Sequence, residues 1–225
     1  MNDTNAANRL QNTGTEKTVT AGSAAGKSAA NIRIMAQIAM LGAVSVILMF
    51  LEFPLPFLAP PFYQLDFSEV PVLIGTFAMG PVAGVVIEFI KILLNLVLNG
   101  TITAGVGEIA NFIIGCSMIL PAGIIYRKHK TKKHAIIGMA AGTIVMVAVG
   151  CLINAFVLLP AYSAGLGIPM DTLIGMGTSV NPAITDVGGF VMLAVGPFNL
   201  VKGVLISVIT MLLYKRVRVI IKGDY

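Results

Sequence analysis

Tryptophan is absent from these 225 residues, histidine and cysteine occur twice each, and only 11% of positions carry a charge. Soluble domains run near ~25% charged, so this chain, 56% apolar, cannot present the polar surface that water demands. It reads as an integral membrane protein. Cys116 and Cys151 fall in separate apolar segments, which points to small buried thiols and away from a disulfide or a metal site. His129 and His134 stand among cations in one hydrophilic loop, so no Ser/His/Asp constellation is on offer. Neither HExxH nor GxxxxGK[ST] occurs. Metal-dependent hydrolysis, triad chemistry and ATP hydrolysis by this chain are therefore not expected, and no cofactor is called for. The formal charge of +5 is gathered in short loops and does not suggest nucleic acid.

What the chain has instead is long apolar runs, enough for about six spans of roughly twenty residues in membrane lipid. Residues 1–31 are rich in Asn, Thr, Ala, Gly and Ser without apolar period, and no apolar core with a cleavage site begins near Met1; a disordered tail is expected. The spans predicted are 32–51, a short 70–79, 82–98 after the Gly80-Pro81 turn, 104–126, 135–159 stopping at Pro160, and 190–214. The division is thus a tail at 1–31, a six-helix membrane domain at 32–218 and a second tail at 219–225. Between the first two spans, Glu52 to Glu69 (EFPLPFLAPPFYQLDFSE) is too rich in proline to be a helix. Its rings at Phe57, Phe62, Tyr63 and Phe67 suit either a lid over something flat and apolar or an interfacial belt. Residues 161–189 form a long Gly/Pro/Ser/Thr-rich connector, a length often functional.

Cations set the orientation. Arg33, the cluster at 127–133 and the cluster at 215–222 put both termini and the loop between spans four and five in the cytoplasm. The opposite face then holds Glu52, Asp66, Glu69, Asp171 and Asp186 without a lysine or arginine.

Polar residues inside the spans are costly and need partners or a role. Glu88 and Lys91, three apart, can pair across a helical turn. Asn199 and Lys202, one turn apart in PFNLVK, either bind a polar solute or bond to neighbouring helices. The orientation gathers them at one depth with Glu108, Asn111 and Asn154, beneath the ring-bearing loop. Amides offering paired donors and acceptors beside aromatic rings suit a planar heterocycle. On the first span Ala39 and Ala43, with Ala36 before them, make a smooth strip for close helix approach, within the molecule or with a partner.

The run LPFLAPPFYQLDFSEVPVLIGTFAMGPVAGVVIEFIK, followed by TAGVGEIANFIIG and then PFNLVK, resembles the riboflavin-specific substrate-binding subunits (S components) of energy-coupling factor (ECF) vitamin transporters, over roughly 32–218. The resemblance implies an all-α fold of six transmembrane helices with both termini cytoplasmic, in a bacterial cytoplasmic membrane. It implies high-affinity capture of riboflavin from outside. Asn199 and Lys202 match the residues that contact the vitamin, and Leu58, Ala59 and Tyr63 lie in the covering loop. Glu108, Asn111 and Asn154 join them partly on depth. Ala39 and Ala43, extended by Ala36, match the strip that docks on the transmembrane coupling subunit EcfT. ATP would be hydrolysed by two separate subunits, EcfA and EcfA'. The competing readings are the same fold serving another vitamin or FMN, which would need compensation for its phosphate, and a stand-alone secondary transporter.

Overall fold

The computed structural model describes residues 31–101 and 103–222, with side chains as far as Tyr214. The chain divides into two compact units, 1–37 and 38–225. Of the first, the described residues are 31–37, the opening turns of helix α1 (Asn31–Met49); the tails expected at 1–31 and 219–225 otherwise lie outside the described side chains.

After α1 come two short strands, β1 (Phe53–Pro54) and β2 (Gln64–Leu65), paired antiparallel with Phe53 opposite Leu65. Helices α2 (Glu69–Met79) and α3 (Pro81–Asn99) are hinged at Gly80, whose φ of 105° suits glycine, and Pro81 opens α3 where a missing N–H costs nothing. Next are α4 (Val106–Lys128) and α5 (Lys132–Ile153), the latter capped by the Thr131 hydroxyl, which accepts from the His134 N–H. The connector expected at 161–189 is not irregular. Helix α5 widens into a π turn (Asn154–Leu158) and runs on as α6 (Leu159–Leu166); α7 (Met170–Val180) and α8 (Val187–Phe190) follow. Pro160 does not stop the fifth segment, because it sits in the first turn of α6 and the wider turn ahead of it absorbs its absent N–H. A second π turn (Val191–Val195) leads into α9 (Gly196–Lys222).

Among the described residues, five helical segments are long and apolar enough to cross a membrane: 31–49, 81–99, 106–128, 132–166 and 187–214. The remaining segment, α2, has 11 residues. The protein is an all-α polytopic membrane protein with two apolar cores. One is built by α2, α3, α4, α5 and α9 around Leu73, Ile87, Met118 and Met146. The other, around Leu65, Leu159, Leu173, Ile184 and Phe190, is where the loop before α2 packs on α6 to α9.

Candidate functional site

A cavity of about 420 Å³ lies among the loop 52–66, the end of α3, the start of α4, the π turn that follows α5 with the first turn of α6, and the start of α9. That volume is within the roughly 300–1,000 Å³ of small-molecule pockets. The loop that covers it is pinched at its base by the β1–β2 pair and tightened by backbone bonds from Leu58 and Ala59 N–H to Leu55 O and from Tyr63 N–H to Pro60 O. Ala59 is fully buried in the second core, so the loop is bolted down in its middle. Its rings then reach across: Phe62 packs on Tyr63 with centroids 4.7 Å apart and meets Tyr162 edge-on at 6.3 Å, while Tyr63 lies 5.7 Å from Phe198. Aromatic pairs at these separations are cohesive beyond the area they bury.

Two polar links join the loop to the helices. The Tyr63 hydroxyl donates to Asn154 Oδ1 at 2.5 Å, and Lys202 Nζ donates to Asp66 Oδ2 at 2.8 Å. Burial pushes the Tyr63 phenol's pKa up, which keeps it a donor. Burial pushes the Asp66 carboxyl up as well, but the Lys202 ammonium, the more distant Lys91 and hydrogen bonding with Lys202 and Ser68 outweigh it and hold the group at about 2. Asp66 is thus a carboxylate at any physiological pH.

Of the three buried asparagines, Asn95, Asn154 and Asn199, the last two sit beside the two π turns. Asn154 opens the first, and Asn199 stands one turn past the last residue of the second, Val195. Asn154 Nδ2 donates to Gly150 O at 2.7 Å and Asn199 Nδ2 to Val195 O at 2.9 Å. Gly150 gives the carboxamide room: a Cβ on it would lie 2.9 Å from Asn199 Nδ2 and displace it. Each carboxamide uses one N–H on its own helix, Asn154 Oδ1 also accepts from Tyr63, and both residues line the cavity. Insertions of a residue into a helix recur at functional sites because they redirect side chains.

The opposite wall comes from the end of α3, with Asn95 and Asn99, and from the turn before α4. There Thr101 Oγ1 accepts from the N–H groups of Thr103 and Gly105, and Thr103 Oγ1 accepts from Gly107 N–H while donating to Glu108 Oε2 at 3.1 Å. This fixes Glu108 and, one turn on, Asn111 at the cavity.

Of the residues expected at the site, Tyr63, Glu108, Asn111, Asn154, Asn199 and Lys202 line one cavity; Leu58 and Ala59 do not, because they turn into the second core. Sequence reasoning missed Asp66 as the partner of Lys202, and Asn95, Asn99, Thr103, Gln64 and Tyr162 as lining residues. Asn95 had a signal: it lies one turn beyond Lys91 on an apolar helix. Glu69, expected among acids of the outer face, is buried and bonded to Lys91 at 2.7 Å. Lys91 also lies 2.8 Å from Glu88, the pairing the spacing predicted. Ala36, Ala39 and Ala43 are all exposed on α1. Among the described residues no group of three or more His, Cys, Asp or Glu could hold a metal, and Cys116 and Cys151 are free thiols.

A multi-pass helical protein with a covered, amide-lined cavity is the architecture of a membrane solute-capture protein. Residues 33–214 match the family model for the substrate-specific component of ECF transporters, and the chain belongs to that family. It is 38% identical over 179 residues to the riboflavin transporter RibU of Staphylococcus aureus (strain TCH60), covering 80% of this chain and 87% of that one. To the riboflavin transporter FmnP of Bacillus subtilis (strain 168) it is 31% identical over 188 residues, 83% and 93% of the two chains. A solved structure of the S component of a bacterial ECF transporter superposes with a TM-score of 0.64 at 39% identity, covering 82% of this chain and 94% of that one. The fold is therefore that of ECF S components, and the chain is a transport component.

Proposed function

We propose that this chain captures riboflavin for uptake through an ECF transporter. The observation that carries the reading is the cavity itself: aromatic rings from the loop stand over one part of it, and Asn154, Asn199 and Lys202 supply donors and acceptors at its wall. A tricyclic flavin needs both, a flat apolar contact for its ring system and directed bonds for its ring nitrogens, carbonyls and hydroxyls. The names of its relatives supply the ligand class. The test is to purify the protein alone and titrate riboflavin, following quenching of flavin fluorescence. Saturable quenching at one site per chain is expected, and its absence ends the riboflavin reading.

The finer topology is part of the same proposal. Six segments cross or enter the membrane, α2 being the sixth; its 11 residues rise only ~16 Å, about half the ~30 Å hydrocarbon core, so it serves as a half-span hairpin with α3. Both termini are assigned to the cytoplasm of a bacterial cell by the positive-inside rule, from the cations of the sequence at Arg33, 127–133 and 215–222. Accessibility of single cysteines placed at residue 130 and at residue 57 to an impermeant thiol reagent tests this. Ala36, Ala39 and Ala43 dock on EcfT, and EcfA and EcfA' hydrolyse the ATP that resets the complex.

A further inference from the structure

The polar groups of the cavity are unbalanced. Three carboxylates line it, on Glu52, Asp66 and Glu108, against one ammonium, on Lys202. That ammonium is already met by Asp66 at 2.8 Å, and Asp66 is held ionised. Among the described residues no lysine or arginine forms an ion pair with Glu52 or Glu108. Glu108 is instead bonded by the Thr103 hydroxyl, and the Gln64 carboxamide, with its nitrogen turned to Glu52, donates to Glu52 Oε1 at 2.6 Å. The lining thus carries surplus negative charge inside a cleft with apolar walls, where fields are focused and weakly screened.

We propose that Glu108 and Glu52 are specificity-determining residues that exclude phosphorylated flavins from the cavity by charge. This rests on the riboflavin reading. A hydroxyl chain can donate to a carboxylate and gains from these groups. A phosphomonoester presents acceptor oxygens and about −1.5 to −2 charge, so the same carboxylates repel it. One arrangement therefore favours the free polyol and rejects its 5′-phosphate, with no steric gate needed. Because Asp66 already balances the charge of Lys202, the described lining offers a phosphate no uncompensated cation, although Lys202 still has N–H donors for a neutral ligand.

The experiment compares three ligands on the purified protein by fluorescence quenching: riboflavin, riboflavin 5′-phosphate and riboflavin 5′-acetate, which lengthens the same position without charge. The readout is the ratio of Kd values, so a general loss of affinity does not enter it. In the unaltered protein the phosphate is expected to bind at least ~10-fold more weakly than the acetate. Glu108→Gln and Glu52→Gln are each expected to lower the phosphate-to-riboflavin ratio by about 10-fold, the size of one unit charge removed at pocket distances, while the acetate-to-riboflavin ratio stays put. Raising the salt concentration should lower the phosphate ratio in the unaltered protein too. Should the acetate be rejected as strongly as the phosphate, exclusion is by size and the proposal is overturned; an unchanged phosphate ratio in both variants overturns it equally. Glu52 is exposed on the loop, so Glu52→Gln gives the answer even where Glu108→Gln does not fold. Failure of riboflavin itself to bind the unaltered protein is the separate result that removes the capture reading, and the filter with it.

Discussion

Lys91 and Lys202 are both lysines in apolar helices, yet their surroundings differ in kind. Lys91 is fully buried between two carboxylates, Glu69 at 2.7 Å and Glu88 at 2.8 Å. The α4 backbone closes on the cluster at Gly115, where a Cβ would stand 2.4 Å from Glu88 Oε1. The cluster therefore ties α2 to α3, with α4 packed closely over it at Gly115. Lys202 has one carboxylate, a side chain 12% exposed, and a place on the cavity wall. One of its three N–H donors goes to Asp66, which leaves the others for a ligand. A lysine saturated by acids on all sides is structural, whereas one with a single acid and an adjoining cavity has binding capacity in reserve.

The sharpest way to break this comparison is to remove each ammonium and watch a different property fail. Lys91→Met leaves two uncompensated buried carboxylates, and breaking such a cluster costs about 3–5 kcal/mol. The expected result is a large fall in thermal midpoint in detergent or failure to express, with partial recovery when Glu88→Gln is added. Lys202→Ala should keep the fold, shown by a midpoint close to the unaltered one, but lose roughly 10- to 100-fold in riboflavin affinity, the worth of a charged hydrogen bond. A variant pair in which both lysines affect only stability, or both only binding, removes the distinction. Third in size is Tyr63→Phe. It deletes the donor that fixes the Asn154 carboxamide while keeping the ring contacts, so about 1 kcal/mol, near fivefold in Kd, is expected.

The pH response isolates the Asp66–Lys202 link. Asp66 has its carboxyl lowered from an ordinary 3.8 to about 2, so its link to Lys202 contributes fully above pH 3.8 and is lost as pH falls through about 2. From this source, riboflavin affinity measured from pH 5 to pH 8 should stay flat. Asp66→Asn, which removes the charge at every pH, should reproduce in that range the change acid causes in the unaltered protein.

How far each lysine could be read from the chain depended on where its partner lies. Glu88 is one helical turn from Lys91 and was legible from spacing alone. Glu69 is 22 residues away, yet it and Lys91 flank the Gly80-Pro81 turn almost symmetrically, so folding α2 back on α3 brings them level. Asp66 and Lys202 are 136 residues apart, and no local pattern links a loop acid to the last helix. The segments themselves were legible because twenty-residue apolar runs leave few choices. The course of the chain beyond Pro160 was not, since a widened turn that lets a helix continue through proline leaves no periodicity to read. The amides Asn154 and Asn199 stood out as polar residues in apolar segments, but only the packed helices show that both lie at such turns.

The smallest effect on binding and stability is expected where the surface differs most from both lysine sites. Ala39 and Ala43 are exposed on α1, four residues apart, and line neither the cavity nor an apolar core. Enlarging either to leucine adds apolar surface facing lipid, which the bilayer accepts, so thermal midpoint and riboflavin Kd should hold within about 0.5 kcal/mol. A coupling helix packed against that strip has no such latitude, because close approach depends on small side chains at i and i+4. Recovery of the intact transporter with EcfT, EcfA and EcfA', and vitamin uptake by cells, should therefore drop sharply while the isolated subunit still binds its ligand. Equal loss of ligand binding in Ala39→Leu would mean that α1 shapes the cavity, and the division between a capture face and a docking face would fall.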